Sequence, residues 1–202
     1  MRSLIAFAGL ALAALGSAHG AGVGIRAGTT GVGADVGWGV APTLAARVGY
    51  STLNWNTHLS ETSVRYDAKL KLSNLNAFLD WSPLGPFRIT GGAIANNNKY
   101  ELTGSPPGGT FNGAVKSGRS IAPYLGVGYG NVSGLGVNFY FDLGVMFMGS
   151  PKANINATCT TASGAACIAL QNQAAQEARD LETELRRFKY YPVANIGLTI
   201  GF

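Results

Sequence analysis

The sequence predicts an all-β protein, an eight-stranded antiparallel transmembrane β-barrel carrying one helix in an extracellular loop. Three observations point there. Along most of the chain, apolar residues alternate with glycine or polar residues, the period of a strand with two unlike faces. Only 12% of residues are charged, against 47% hydrophobic, and that charged share is about half the usual one for a soluble domain. Glycine is also abundant, at 29 of 202 residues. A chain with few charges and few continuous apolar runs turns its apolar face to lipid one residue in two.

The N-terminus reads as a secretory signal, residues 1–20, with the barrel as one domain over 21–202. Arg2 gives the positive end, and Leu4 to Leu15 is an uncharged apolar run. Small residues follow at Gly16, Ser17, Ala18, Gly20 and Ala21, the pattern a signal peptidase cuts. The run is short for a spanning helix, which needs about 20 apolar residues.

The first strand carries Val23, Ile25 and Ala27 outward. Its phase flips at Thr29-Thr30-Gly31, so that Val32, Ala34, Val36, Trp38 and Val40 become the outward set. A flip requires a turn or a bulge; a tight turn is the favoured reading. After Ala41-Pro42-Thr43, Leu44, Ala46, Val48 and Tyr50 face out, and a loop is expected over 54–63. Tyr66, Ala68, Leu70 and Leu72 then face out, with a phase change at Ser73-Asn74 to Leu75, Ala77, Leu79 and Trp81. Pro83-Leu84-Gly85-Pro86 is a turn. Phe87, Ile89 and Ala93 begin a strand that fades at Asn96-Asn97-Asn98 into a loop around 104–113. A strand descends from Ala114 through Ile121, Leu125, Val127 and Tyr129. Val137, Phe139, Phe141, Leu143, Val145 and Phe147 form the clearest outward row. The last strand carries Tyr190, Pro192, Ala194, Ile196, Leu198, Ile200 and Phe202. The turns at 41–43, 83–86 and 131–135 are short and periplasmic; the loops at 54–63, 104–113 and 149–188 are long and extracellular.

Within the last loop, 166–188 reads as a helix of good helix formers. Ala174, Ala178, Leu181, Leu185 and Phe188 make one stripe at spacings of three and four. It serves either as a rim helix packed on the strand ends, the favoured reading, or as a lid. Its acids precede its bases, which suits the helix dipole. Cys159 and Cys167 are the two cysteines of an exported chain and are expected to form a disulfide.

Strand phase turns six charges into the lumen: Arg26, Arg47 and Arg88 with Asp35, Asp80 and Asp142. An eight-stranded lumen is barely wide enough for its own side chains, so these charges must pair. They form either a salt-bridged plug or a selective constriction. A second, mostly basic group, Arg65, Asp67, Lys69, Lys71 and Lys116, is expected to line the outer mouth, where it meets anionic solutes or lipopolysaccharide phosphates.

The net charge of +5 is diffuse, which excludes nucleic acid as an argued partner. Outer-membrane lipid and lipopolysaccharide are the expected partners of a monomer. No motif points to a cofactor or metal. His58 is the only histidine of the mature chain, with Ser60, Glu61 and Ser63 nearby. No spacing there sets out a catalytic triad, so an enzyme is not expected.

Several segments carry a resemblance. Gly28-Thr29-Thr30-Gly31 leads into the second strand, and Leu84-Gly85 closes a turn. Ile121-Ala122-Pro123-Tyr124-Leu125-Gly126-Val127-Gly128 precedes Asp142-Leu143-Gly144-Val145. Then come Gly149-Ser150-Pro151-Lys152, an acidic helical stretch and Tyr191-Pro192-Val193. This order resembles the carbapenem-associated outer-membrane proteins, or ornithine uptake channels. The resemblance implies an eight-stranded barrel linked with uptake of basic amino acids and of imipenem-type drugs. Asp80 and Asp142 match acidic positions of that family. Arg47 and Asp35 stand where it has uncharged residues, and the extracellular insertions are shorter here. The function expected is a narrow, gated diffusion channel for small solutes such as amino acids. The alternative is a non-conducting structural or surface-interaction barrel with a permanent plug.

Overall fold

The computed structural model describes residues 20–61, 64–104, 109–160 and 163–202, the side chains of 58–61 and 64–66 excepted. The signal-peptide reading falls outside the described residues. The described residues form eleven strands and one helix: β1 (Ala21–Gly28), β2 (Gly31–Ala41), β3 (Leu44–Glu61), β4 (Val64–Leu84), β5 (Phe87–Asn96), β6 (Lys99–Gly104), β7 (Gly109–Lys116), β8 (Ile121–Gly130), β9 (Gly136–Met146), β10 (Lys152–Cys159), α1 (Gly164–Leu185) and β11 (Tyr191–Gly201).

Eight of these strands close a ring, each paired antiparallel to both neighbours. The order is β1, β2, β3, β4, β5, β8, β9, β11, and β11 returns to β1. Closure satisfies the backbone groups that an open sheet would leave at its edges. The β1–β2 pairing runs without slip from Ala21↔Trp38 to Gly28↔Gly31. The feature at 29–31 is therefore a two-residue turn, not a bulge, and Gly31 takes φ +105° to close it.

The other three strands correct the expected loops. β4 is 21 residues long, and only its second half belongs to the ring. Its first half, Tyr66–Lys71, pairs with β6, which pairs with β7, which pairs with β10. The result is a sheet extension standing above the barrel. The region expected to be a loop at 54–63 is mostly the continued β3–β4 hairpin. The loop expected at 104–113 is mostly β6 and β7, and β10 occupies part of 149–188. The interruption between β5 and β6 has a side-chain cause. Asn98 Oδ1 accepts from the Ser73 N–H at 3.0 Å, and Asn96 Nδ2 donates to the Arg119 carbonyl at 2.8 Å. These side-chain bonds stand beside the backbone bond from Asn97 N–H to the Ser73 carbonyl at 2.8 Å, and regular pairing with β4 resumes at Lys99.

The phase change expected at Ser73-Asn74 is absent. Ala68, Leu72, Asn74, Asn76, Phe78 and Asp80 are all buried, one uninterrupted face of β4. Ala68 and Leu72 therefore do not face outward. The polarity of the two faces inverts above the ring while the strand keeps its register.

The ring's outer face is apolar and uncovered. Ile25, Leu79, Trp81, Leu125, Val137, Phe139, Leu143 and Ile196 are all exposed. Its inner face holds the buried residues, polar and charged among them.

The helix packs along β10, the last strand of the extension. Glu182 Oε1 accepts from the Ala153 N–H at 3.1 Å, which blunts that strand edge. Ala174 is its buried contact, as the stripe predicts. The helix thus lies along an edge strand of the extension, not on the strand ends that the rim-helix reading expected. Phe188 lies beyond the helix end and is exposed. The expected dipole match is not made, since the first turn has no acid and the last no base. Cys159 and Cys167 form the disulfide, Cα–Cα 5.8 Å, tying the end of β10 to the first turn of α1.

Candidate functional site

The site is the lumen at the level of the six charges. Each sits at an inward position of its strand: Arg26 on β1, Asp35 on β2, Arg47 on β3, Asp80 on β4, Arg88 on β5 and Asp142 on β9. Facing glycines make the room. A Cβ at Gly128 would stand 2.6 Å from Asp142 Oδ1, and one at Gly49 would overlap the Asp35 carboxylate.

The structure brings all six together in two adjoining groups. The first is a quartet. Arg47 Nη1 reaches Asp142 Oδ2 at 2.7 Å, and Arg47 Nε lies 3.1 Å from Asp80 Oδ2. Arg88 Nη2 reaches Asp142 Oδ1 at 2.6 Å, and its Nη1 lies 3.6 Å from Asp80 Oδ2. Thr90 Oγ1 donates to Asp80 at 2.5 Å. The second group is Arg26 and Asp35, 3.4 Å apart. Arg26 also donates to Asn76 Oδ1 at 2.5 Å and to Ser51 Oγ at 3.3 Å.

Tyr140 joins the groups. Its hydroxyl donates to Asp35, while its ring lies 5.0 Å from the Arg47 guanidinium carbon and 5.3 Å from that of Arg88. Sequence phase turns Tyr140 inward, but only the fold shows that it links two ion-pair groups. Asn76, Ser51 and Thr90 were missed for the same reason: polar residues at inward positions carry no signal of partnership.

Two consequences follow. The cluster holds three arginines and three aspartates, so it has no net charge to favour one sign of solute. It is also tightly packed: Arg47 is 0% exposed, Asp80 1%, Asp142 2% and Arg88 3%. Not every polar atom is matched, since Nε of Arg26 and of Arg88 has no hydrogen-bond partner.

Toward the extension, the lumen turns apolar. Phe78, Ile94, Ala122, Tyr124, Met146 and Val193 form a buried cluster, with the Phe78 and Tyr124 rings stacked at 4.6 Å. The Thr29–Thr30 turn lies at that end too. The Thr30 carbonyl accepts from Ser51 and Asn74, and Thr30 Oγ1 donates to Asn195. At the opposite end, a cavity of about 410 Å³ opens among the turns at 42–43, 83–85 and 131–133, with Arg88 in its wall.

The expected outer-mouth group is not in the lumen. Lys69, Lys71 and Lys116 are exposed and, with Asp67, lie on the outer face of the extension. Arg65 shares their strand phase, but its side chain is outside the described residues, as are those of His58, Ser60 and Glu61 and all of Ser63. The correction has two causes: the unbroken register of β4 for Asp67, Lys69 and Lys71, and the place of β7 in the extension for Lys116.

The fold and lumen define a class: small closed antiparallel barrels of eight strands, filled by their own side chains. Within it, the chain is similar to two solved structures from Acinetobacter baumannii. CarO is 21% identical, with 90% of this chain and 97% of that chain covered, at a TM-score of 0.63. CarO2 is 20% identical, with 93% and 100% covered, also at 0.63. No family model matches the chain, and no curated protein matches it. At this identity the likeness establishes the shared barrel fold, the fold that the resemblance in sequence implied.

Proposed function

We propose that the protein is a monomeric outer-membrane barrel, shut at rest, which admits small solutes only when the Arg47–Arg88–Asp80–Asp142 quartet parts. The belt of exposed apolar residues around the closed ring supports the membrane location. One observation carries the gate: four paired charges with almost no exposure block the lumen between a cavity at one end and the extension at the other. Side-chain pairs can separate and re-form without breaking the ring. Because the cluster is charge-balanced, small zwitterions such as amino acids are the fitting solute class.

The second reading is a barrel that never conducts. The apolar cluster favours it, because Ile94, Met146 and Val193 are also fully buried and add a dry layer that the quartet's opening leaves in place.

Planar-bilayer conductance separates the two readings. The folded wild type should show rare, brief openings, and Arg47→Ala and Asp142→Ala should raise their frequency or size. Silence from all three, with folding confirmed by gel mobility, would reject the channel and leave the plugged barrel.

A further inference from the structure

The extension carries a feature that the lumen does not use. Lys71 of β4 pairs with Lys99 of β6, Lys99 with Lys116 of β7, and Lys116 with Lys152 of β10. Residues directly opposite across antiparallel strands project to the same face. Four lysines therefore stand side by side across four strands, spanning about 14 Å at the usual strand spacing. Lys69 lies in the adjoining row. Lys71, Lys116 and Lys152 are exposed, and Lys99 is half-buried.

Like charges placed directly opposite one another destabilise a sheet. Glu101, directly opposite Lys69, meets Lys71 at 2.8 Å. The hydrogen bond from Lys71 holds the Glu101 carboxyl below its usual range. Glu101 and Asp67, the carboxylates placed on this face, do not balance five ammonium groups. Asp67 lies on the same face, a row further from the ring than Lys69.

Position names the counter-charge. On β4 the lysine face continues into Ser73, Leu75, Leu79 and Trp81, and these last three are exposed members of the apolar belt. Lys71 is four residues from Leu75, about 13 Å along the strand. The row thus stands just beyond the upper edge of the belt, at the depth of lipid headgroups, with flexible stems that can reach down to it. We infer that the Lys71–Lys99–Lys116–Lys152 row docks the phosphate groups of outer-leaflet lipid, gripping the membrane on one side of the barrel. The inference rests on the outer-membrane reading and adds to it a site and an orientation.

The test uses the full mature chain refolded into phosphatidylcholine vesicles, with and without purified lipopolysaccharide carrying a phosphorylated lipid A. The readout is apparent affinity, from the lipid dependence of the thermal transition. Each lysine at a headgroup surface contributes on the order of 1 kcal/mol, so Lys99→Gln/Lys116→Gln/Lys152→Gln should weaken binding by more than about tenfold. Wild-type binding should also weaken with salt, which needs no variant to fold. Equal binding by the triple variant, equal binding of enzymatically dephosphorylated lipopolysaccharide, or the same shift with inorganic phosphate alone would each overturn the inference. Insertion into phosphatidylcholine with no dependence on lipopolysaccharide would overturn it and leave the membrane reading standing. Failure to insert into any vesicle would overturn both.

Discussion

Tyr140 does the most with a single side chain. It bonds Asp35, covers two guanidinium groups and so fixes the distance between the ion-pair groups. Its ring has that place because Gly197 on the neighbouring strand has no side chain; a Cβ there would overlap the ring itself. Neither neighbour can yield cheaply, since the ring is hemmed in by paired charges. Gly197→Ala should therefore destabilise the folded barrel by about 1–3 kcal/mol, the usual range for overpacking. Urea unfolding followed by tryptophan fluorescence gives the number. Gly91 is the control, since a Cβ there meets nothing within 4 Å; Gly91→Ala should leave the midpoint nearly unchanged. Equal losses at both positions would mean that the lumen packing around Tyr140 is looser than its contacts indicate.

Elements outside the ring depend on different forces from those within it. α1 packs chiefly on β10, with Leu170 reaching Gly109 of β7, buries one alanine and lacks a side-chain N-cap bond. What fastens it is the Cys159–Cys167 disulfide at one end and the Glu182–Ala153 bond near the other. The loop that the disulfide closes is short, with a sequence separation of 8, so its chain-entropy contribution is about 2.5 kcal/mol, and that contribution falls on α1 rather than on the ring. Cys159→Ser/Cys167→Ser should thus speed tryptic cleavage at Arg179 and Arg186 while leaving the thermal transition of the ring in place. A matching fall in the ring's transition would show that the extension and the ring unfold as one unit.

At the scale of the whole molecule, one pattern explains both what the sequence made legible and what it hid. Alternation located all eight ring strands and the six lumenal charges, because in the ring one face is always apolar and the other always meets the lumen. Above the ring that rule reverses. Leu72 and Ala68 are buried on the same side of β4 as Asn74 and Asp80, and Lys71 shares its side with Leu75. Read as a change of phase, the reversal put the lysines in the mouth; it is a change of surroundings. The three extension strands were hidden in the same way, because short polar strands with glycine and asparagine read as loops.

The apolar belt gives this argument its strongest test. If the ring faces hydrocarbon, an arginine on its outer surface costs about 2–4 kcal/mol at the membrane midplane and about 0–1 near the interface. Phe141 is at the middle of β9 and Val137 near its end, both outward and exposed. Phe141→Arg should then cost several times more than Val137→Arg in equilibrium unfolding from phosphatidylcholine vesicles. In detergent micelles, which thin and deform around a charge, the two should converge. A soluble barrel with the same fold would show no such gradient, because both positions would already meet water. Equal and small costs in vesicles would remove the membrane reading, and the solute gate and the lysine site with it. A steep gradient would place the hydrocarbon midplane near Phe141, with the lysine row on the headgroup side of the belt.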